Sequence, residues 1–330
     1  MLKRLLFLLS LVLLLSCNGS GENTAVSGQI ITVLGQAHPD MQIARVDLAN
    51  EQSTTLFQAP EFSQIFQISL DPAQENVYFS YSPPPSGGSG FFDRAGIYTL
   101  PTNAANGTPT PLLGGNTTGE YLLMPTFSPN GRFLFYVKQA QDPNSISGGF
   151  LVTLERYDLE TGQNQTIVLD GIWPRISPDG EKLVFIGVEP QSLQRALVLT
   201  DLDGSSFEIL VGIGRFFDID APIFSPDGQH IYFSVAEEAP VSLMERLLGV
   251  QIAHAHADHN VPSDWWRIPT TGGEPEQITF FKDIILHGDF KSETNQLIFS
   301  TQTGLFTLEP DQTVVPIRES TRFNTVQVIK

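Results

Sequence analysis

The sequence predicts an all-β protein, a six-bladed β-propeller of four-stranded antiparallel blades whose ring is closed by a C-terminal strand pairing with N-terminal strands. Three observations predict it. A Ser-Pro-Asp-Gly-like turn recurs along the chain, each copy runs into a short apolar strand, and a second hairpin follows each time. The composition agrees: 28 Gly and 23 Pro in 330 residues suit many short strands joined by turns, and hydrophobic residues at 41% suffice to fill a core.

The chain opens with Lys3 and Arg4, an apolar run from Leu5 to Leu15, then Ser16 and Cys17. A basic segment followed by an apolar one is a secretory signal, and the run is well short of the roughly 20 residues that span a bilayer. Leu14-Leu15-Ser16-Cys17 resembles the bacterial lipobox, which implies cleavage before Cys17 and lipid attachment to it. Residues 1–16 are thus read as a lipoprotein signal peptide, 17–25 as a flexible Gly/Ser tether and 26–330 as a single propeller domain. The expected location is extracytoplasmic, lipid-anchored to a bacterial membrane, in the periplasm or at the cell surface. Asn18 gives no inner-membrane retention signal.

Cys17 is the only cysteine, which excludes an internal disulfide, a thiolate metal cluster and thiol catalysis in the mature domain. The formal charge of −18 becomes −20 once the signal, with its two cations and no acids, is removed. A chain so acidic makes a poor partner for nucleic acid.

The turn copies are Pro125-Thr126-Phe127-Ser128-Pro129-Asn130-Gly131, Pro174-Arg175-Ile176-Ser177-Pro178-Asp179-Gly180 and Pro222-Ile223-Phe224-Ser225-Pro226-Asp227-Gly228. Weaker copies are Ser69-Leu70-Asp71-Pro72 and Phe290-Lys291-Ser292-Glu293. Pro presets the first turn position, Asp or Asn tolerates the next, and Gly accepts the positive φ that closes the hairpin. The strands that follow contain Phe79, Phe135, Phe185, Phe233 and Phe299. Six outer hairpins are present, from Ile43–Leu48 to Leu305–Leu308, but only five inner ones. The missing inner pair is assembled from Gln29–Leu34 and Thr325–Ile329, which closes the ring and removes an open edge.

These copies resemble the repeats of the TolB-type six-bladed propeller family, which is related to the propeller domains of prolyl-oligopeptidase-class enzymes. The resemblance covers nearly all of the mature chain. It implies a fold and not an activity, since propellers host binding modules and enzymes alike.

The tight turns share one rim of a propeller, and three long insertions, 82–90, 139–149 and 236–264, share the other. Long loops on a rigid scaffold are the expected functional face. The last insertion carries a capping-box segment, Ser242 with Glu245, and then His254-Ala255-His256-Ala257-Asp258-His259. That run matches the His-x-His-x-Asp-His pattern of metallo-β-lactamase-like hydrolases, which bind two zinc ions there on a different fold. His254, His256, Asp258 and His259, joined by His287 from the next strand, form a candidate site for zinc or another divalent cation. The same residues also read as a solvated polar loop, and no bound cofactor is predicted otherwise. Trp265 and Trp266 begin a strand, so at least one belongs in the core. Asp218 and Asp220 read as solvated or capping carboxylates near the channel mouth.

No Gly-x-Ser-x-Gly elbow and no nucleotide fingerprint is present. The leading expectation is a monomeric, membrane-anchored, non-catalytic binding or scaffold protein for a protein, peptide or envelope glycan. The alternative is a metal-dependent hydrolase or lyase using the histidine loop.

Overall fold

The structure is a computed structural model that describes residues 27–35, 40–50, 52–85, 92–142, 149–237, 261–319 and 321–330. Six four-stranded antiparallel sheets account for all the regular structure among them. The closing blade holds β24 (Phe323–Ile329), β1 (Gln29–Leu34), β2 (Gln42–Asp47) and β3 (Ser53–Gln58). The next two are β4 (Gln64–Leu70), β5 (Asn76–Ser82), β6 (Gly96–Pro101) and β7 (Thr110–Gly114), then β8 (Glu120–Phe127), β9 (Phe133–Gln141), β10 (Phe150–Asp158) and β11 (Asn164–Leu169). They are followed by β12 (Gly171–Ile176), β13 (Lys182–Val188), β14 (Arg195–Asp201) and β15 (Phe207–Val211), and by β16 (Asp218–Phe224), β17 (His230–Ala236), β18 (Asp264–Pro269) and β19 (Glu276–Gln277). The last blade is β20 (Ile285–Lys291), β21 (Gln296–Thr301), β22 (Gly304–Leu308) and β23 (Val314–Glu319).

Closure follows the expected register. Gln29 pairs with Ile329, Ile30 with Val328 and Ile31 with Gln327. The innermost strands β24, β4, β8, β12, β16 and β20 each lie against the next, so the ring is complete.

The repeated turn is built identically three times. The backbone N–H of Gly131, Gly180 and Gly228 donates to the carbonyl of Ser128, Ser177 and Ser225, at 2.9 Å in each. Each Ser hydroxyl donates to the Asn or Asp two residues on and accepts the N–H that opens the next strand, as Ser177 does with Asp179 and Lys182. Gly180 has φ of +77°, the region that costs a side-chain-bearing residue most.

The Pro that opens each copy has a second role. Pro125, Pro174 and Pro222 all sit where the inner strand loses register with its neighbour, between Leu123 and Thr126, Ile172 and Arg175, and Asp220 and Ile223. A bulge leaves a residue outside the ladder, so the missing N–H of Pro costs nothing there. The preceding Met124, Trp173 and Ala221 have φ of 54°, 56° and 46°, a conformation that a following Pro disfavours and that the ring of packed blades enforces.

Between blades lies the core. Phe79, Phe135, Phe233 and Phe299 stand at the same place in their second strands and are fully buried, and Phe185 is nearly so. Each such ring stabilises the fold by about 1.5–3 kcal/mol relative to an exposed one. Trp265 is buried too, packed edge-on to Phe299, while Trp266 is half-buried against Phe216.

Candidate functional site

A cavity of about 520 Å³ occupies the centre of the ring and opens on the face of the tight turns. Pro72, Pro129, Pro178 and Pro226 stand at its mouth, and Ser69, Thr126, Arg175, Ile223, Asp289 and Gln327 line it from the six innermost strands. The cavity thus lies on the face of the tight turns, opposite the rim of the long insertions where the sequence places the expected functional loops. Each tight turn is so compact that it leaves the inner-strand ends uncovered, and the channel stays open there.

Two deep ionisable residues dominate this cavity. Arg175 follows the β12 bulge, and its Nη1 donates to the Pro174 carbonyl at 3.1 Å. Its Nη2 lies 2.6 Å from Nε2 of His287, on β20. A guanidinium has only N–H donors, so Nε2 is the acceptor and the imidazole proton resides on Nδ1. The Trp173 ring stands 6.1 Å from the imidazole. Asp289, two residues beyond His287 and therefore on the same face of β20, accepts from the N–H of Phe290 at 2.9 Å and of Val328 at 2.7 Å.

Burial pushes the Asp289 carboxyl up to about 6, against the opposing pull of the Val328 N–H and the Arg175 charge. Burial likewise draws Arg175 down to about 10, with Asp289 acting against the shift. Arg175 stays cationic at neutral pH. The floor of the central cavity thus holds a cation, Arg175, with the Asp289 carboxyl beside it.

The structure places His287 in this cluster. His254, His256, Asp258 and His259, with the capping-box segment before them, lie outside the described residues. Among the described residues no group of three or more His, Cys, Asp or Glu could hold a metal ion. Cys17 also lies outside them.

Asp218 and Asp220 correct an expectation. They are buried on β16, not solvated, and Nη1 of the equally buried Arg195 binds Oδ1 of both, at 3.1 and 2.9 Å. The shared cation is what allows two carboxylates to be buried together. A gap of about 10 Å³ beside them, room for about one water, is lined by Ser234, Val261 and Ser263. It lies toward the insertion rim.

Comparison with solved structures places this architecture. TolB from Acinetobacter baumannii superposes with a TM-score of 0.60 at 17% identity, over 90% of this chain and 67% of that one. The structure of a putative TolB from Agrobacterium tumefaciens gives 0.60 at 15%, over 92% and 99%. The fold is that of the TolB-type propeller. A chain of the nidogen/laminin complex also matches, with a TM-score of 0.60 at 10% identity, over 92% of this chain and 98% of that one. At such identities the likeness is one of fold. No family model matches the sequence, and no curated protein does.

Sequence reasoning did not single out Arg175 as a candidate site residue. Its signal was present in the repeat: the position after the first Pro holds Thr126, Arg175 and Ile223, and only one of these is charged. A charge at a site the other copies fill with a short or apolar side chain marks a departure from purely structural use.

Proposed function

We propose that this chain is an extracytoplasmic propeller, anchored through lipid on Cys17, that acts as a non-catalytic binding or scaffold protein and receives a peptide segment of a partner in its turn-face cavity. The observation that carries the reading is Arg175, a cation at the floor of an open cavity of about 520 Å³ in a strongly acidic molecule. Pockets that join shaped walls to a few convergent polar groups are where ligands bind. The innermost strands also end their sheets, which suits hydrogen bonding to an extended chain at the edge groups not already taken, as those of Leu70 and Val328 are. Support of a general kind comes from the nidogen/laminin complex, where the same fold occurs in an assembly of proteins.

The test is site-specific photo-crosslinking in the native cell, with the reactive group at Thr126 in the cavity or at Thr110 on the outer strand β7. The expected result is one envelope protein joined through Thr126 alone, at a mapped peptide segment, and lost on adding that peptide in excess. Equal labelling from both positions overturns the reading.

A further inference from the structure

The floor of the cavity is built for one kind of group. Arg175 presents a planar fork of five N–H donors, more than its contacts to Pro174 and His287 use. Those two contacts fix the plane of the fork. The Pro174 carbonyl holds Nη1, and His287, itself buried in β20, holds Nη2 from across the channel. A pre-oriented guanidinium loses little freedom when it binds a planar anion.

The charges around it are asymmetric. Asp289 also lines the cavity and opposes the Arg175 charge, and each of its oxygens already accepts a backbone N–H, from Phe290 and from Val328. Lys330 stands at the mouth, with Asp71 from the β4 turn opposite in sign. Ile176, Ile223 and Phe224 contribute apolar surface to the cavity wall.

Resting on the reading of the cavity as a peptide site, we propose that Arg175 is the anchor for a carboxylate of the bound peptide, supplied by its C-terminus or an acidic side chain, with His287 as the residue that positions the guanidinium. A peptide is favoured over an acidic sugar because, of the three aromatic rings of the wall, Phe127 and Phe290 are packed against other rings and Phe224 is buried. Phe127 is packed on Tyr78 at 4.6 Å, and Phe290 meets Tyr232 edge-on at 5.2 Å. The inner strands end their sheets, and the edge groups that are not already taken, as the N–H of Val328 is by Asp289, suit an extended chain.

The test uses the full chain in detergent micelles and fluorescence anisotropy with three labelled probes: a hexapeptide ending in Asp, the same peptide ending in Asn amide, and trigalacturonate. The acid peptide is expected to bind about tenfold or more tighter than the amide, the scale of a charge-assisted bidentate contact. Arg175→Gln should abolish that preference and Arg175→Lys should restore only part of it. His287→Gln, which retains an acceptor, should keep the preference better than His287→Ala. Equal binding of acid and amide, displaced by each other, overturns the carboxylate anchor while leaving a peptide cavity in place. Arg175-dependent binding of trigalacturonate alone overturns the choice of a peptide. No binding of any probe overturns the proposal, and the crosslink from Thr126 then decides the cavity reading separately. Because the comparison of acid with amide is made on the unaltered protein, it stands even if an Arg175 variant fails to fold.

Discussion

Nη2 of Arg175 and Nε2 of His287 meet at 2.6 Å across the channel, from strands β12 and β20 that the whole of β16 separates in the ring. The contact ties the third blade after closure to the fifth, over the head of the fourth. It also spends the one imidazole nitrogen that faces the guanidinium. Removing it leaves a deep cation with one acceptor fewer, a loss of about 1.5–3 kcal/mol for a hydrogen bond to a charged group. His287→Ala should therefore lower the unfolding free energy in urea by that amount, read as a lower midpoint at unchanged slope. The Arg175→Met, His287→Ala double variant should lose less than the sum of the singles, and strict additivity would show that the contact contributes nothing.

Ring closure offers a sharper test. Val326 of β24 is fully buried and pairs with Thr32, and Thr32 donates its hydroxyl to the Thr325 carbonyl at 2.5 Å. An acid placed there enters the apolar cluster of Ile30, Ala44, Ile298, Leu305 and Phe323, and burying an unpaired charge costs several kcal/mol. Val326→Asp should destabilise the whole domain by about 3 kcal/mol or more. Limited proteolysis should then cut near both chain ends together, because β1 loses its partner when β24 leaves. Cleavage confined to the C-terminal strand, with β1 still protected, would mean that closure is not cooperative.

The blade plan was legible because it is written in turn chemistry. Ser177-Pro178-Asp179-Gly180 can hardly be anything but a tight turn, and its copies count the blades. The bulge at Pro174 was not legible, since nothing local says that Trp173 must adopt positive φ; the packed ring imposes that. The cation at the channel floor was hidden for a related reason. Arg175 and His287 are 112 residues apart and meet only because alternate blades face one another across a channel. Asp218 and Asp220 misled because a lone sequence gives no sign that Arg195, from the preceding blade, would neutralise them in the interior.

The turn carboxylates set the acid limit of stability. Hydrogen bonds to the ionised form hold Asp179 and Asp227 below their ordinary value, chiefly from the Ser177 and Ser225 hydroxyls. Asp158 and Asp201 are lowered to about 2, by Arg132 and Lys182 respectively. A carboxyl depressed in the folded state contributes its stability above the unfolded value near 4 and loses it as the pH falls toward the folded one. Unfolding free energy should thus be level from pH 7 to 5 as far as these groups act, and then decline between about pH 4 and 2. The decline should be shallower in a variant carrying Asp179→Asn and Asp227→Asn, as Asn130 already occupies the equivalent place in its own turn. An acid limb of unchanged steepness would assign the loss to other carboxyls.

His287 is the one member of the candidate metal set that lies among the described residues, and its Nε2 is engaged by Arg175. A divalent ion at Nε2 would have to displace a guanidinium 2.6 Å away and then sit beside its charge, which the low dielectric of the channel makes unfavourable. That leaves His254, His256, Asp258 and His259 without a ligand from β20 by this nitrogen. The expected outcome is that the full chain, purified without a metal-affinity step and dialysed against zinc at low micromolar concentration, carries well under one zinc per chain. His256→Ala should leave that content unaltered. Mass spectrometry under native conditions or atomic absorption reads it directly. One zinc per chain, lost in His256→Ala, would reinstate the metal-dependent hydrolase or lyase reading, carried by the loop residues without Nε2 of His287.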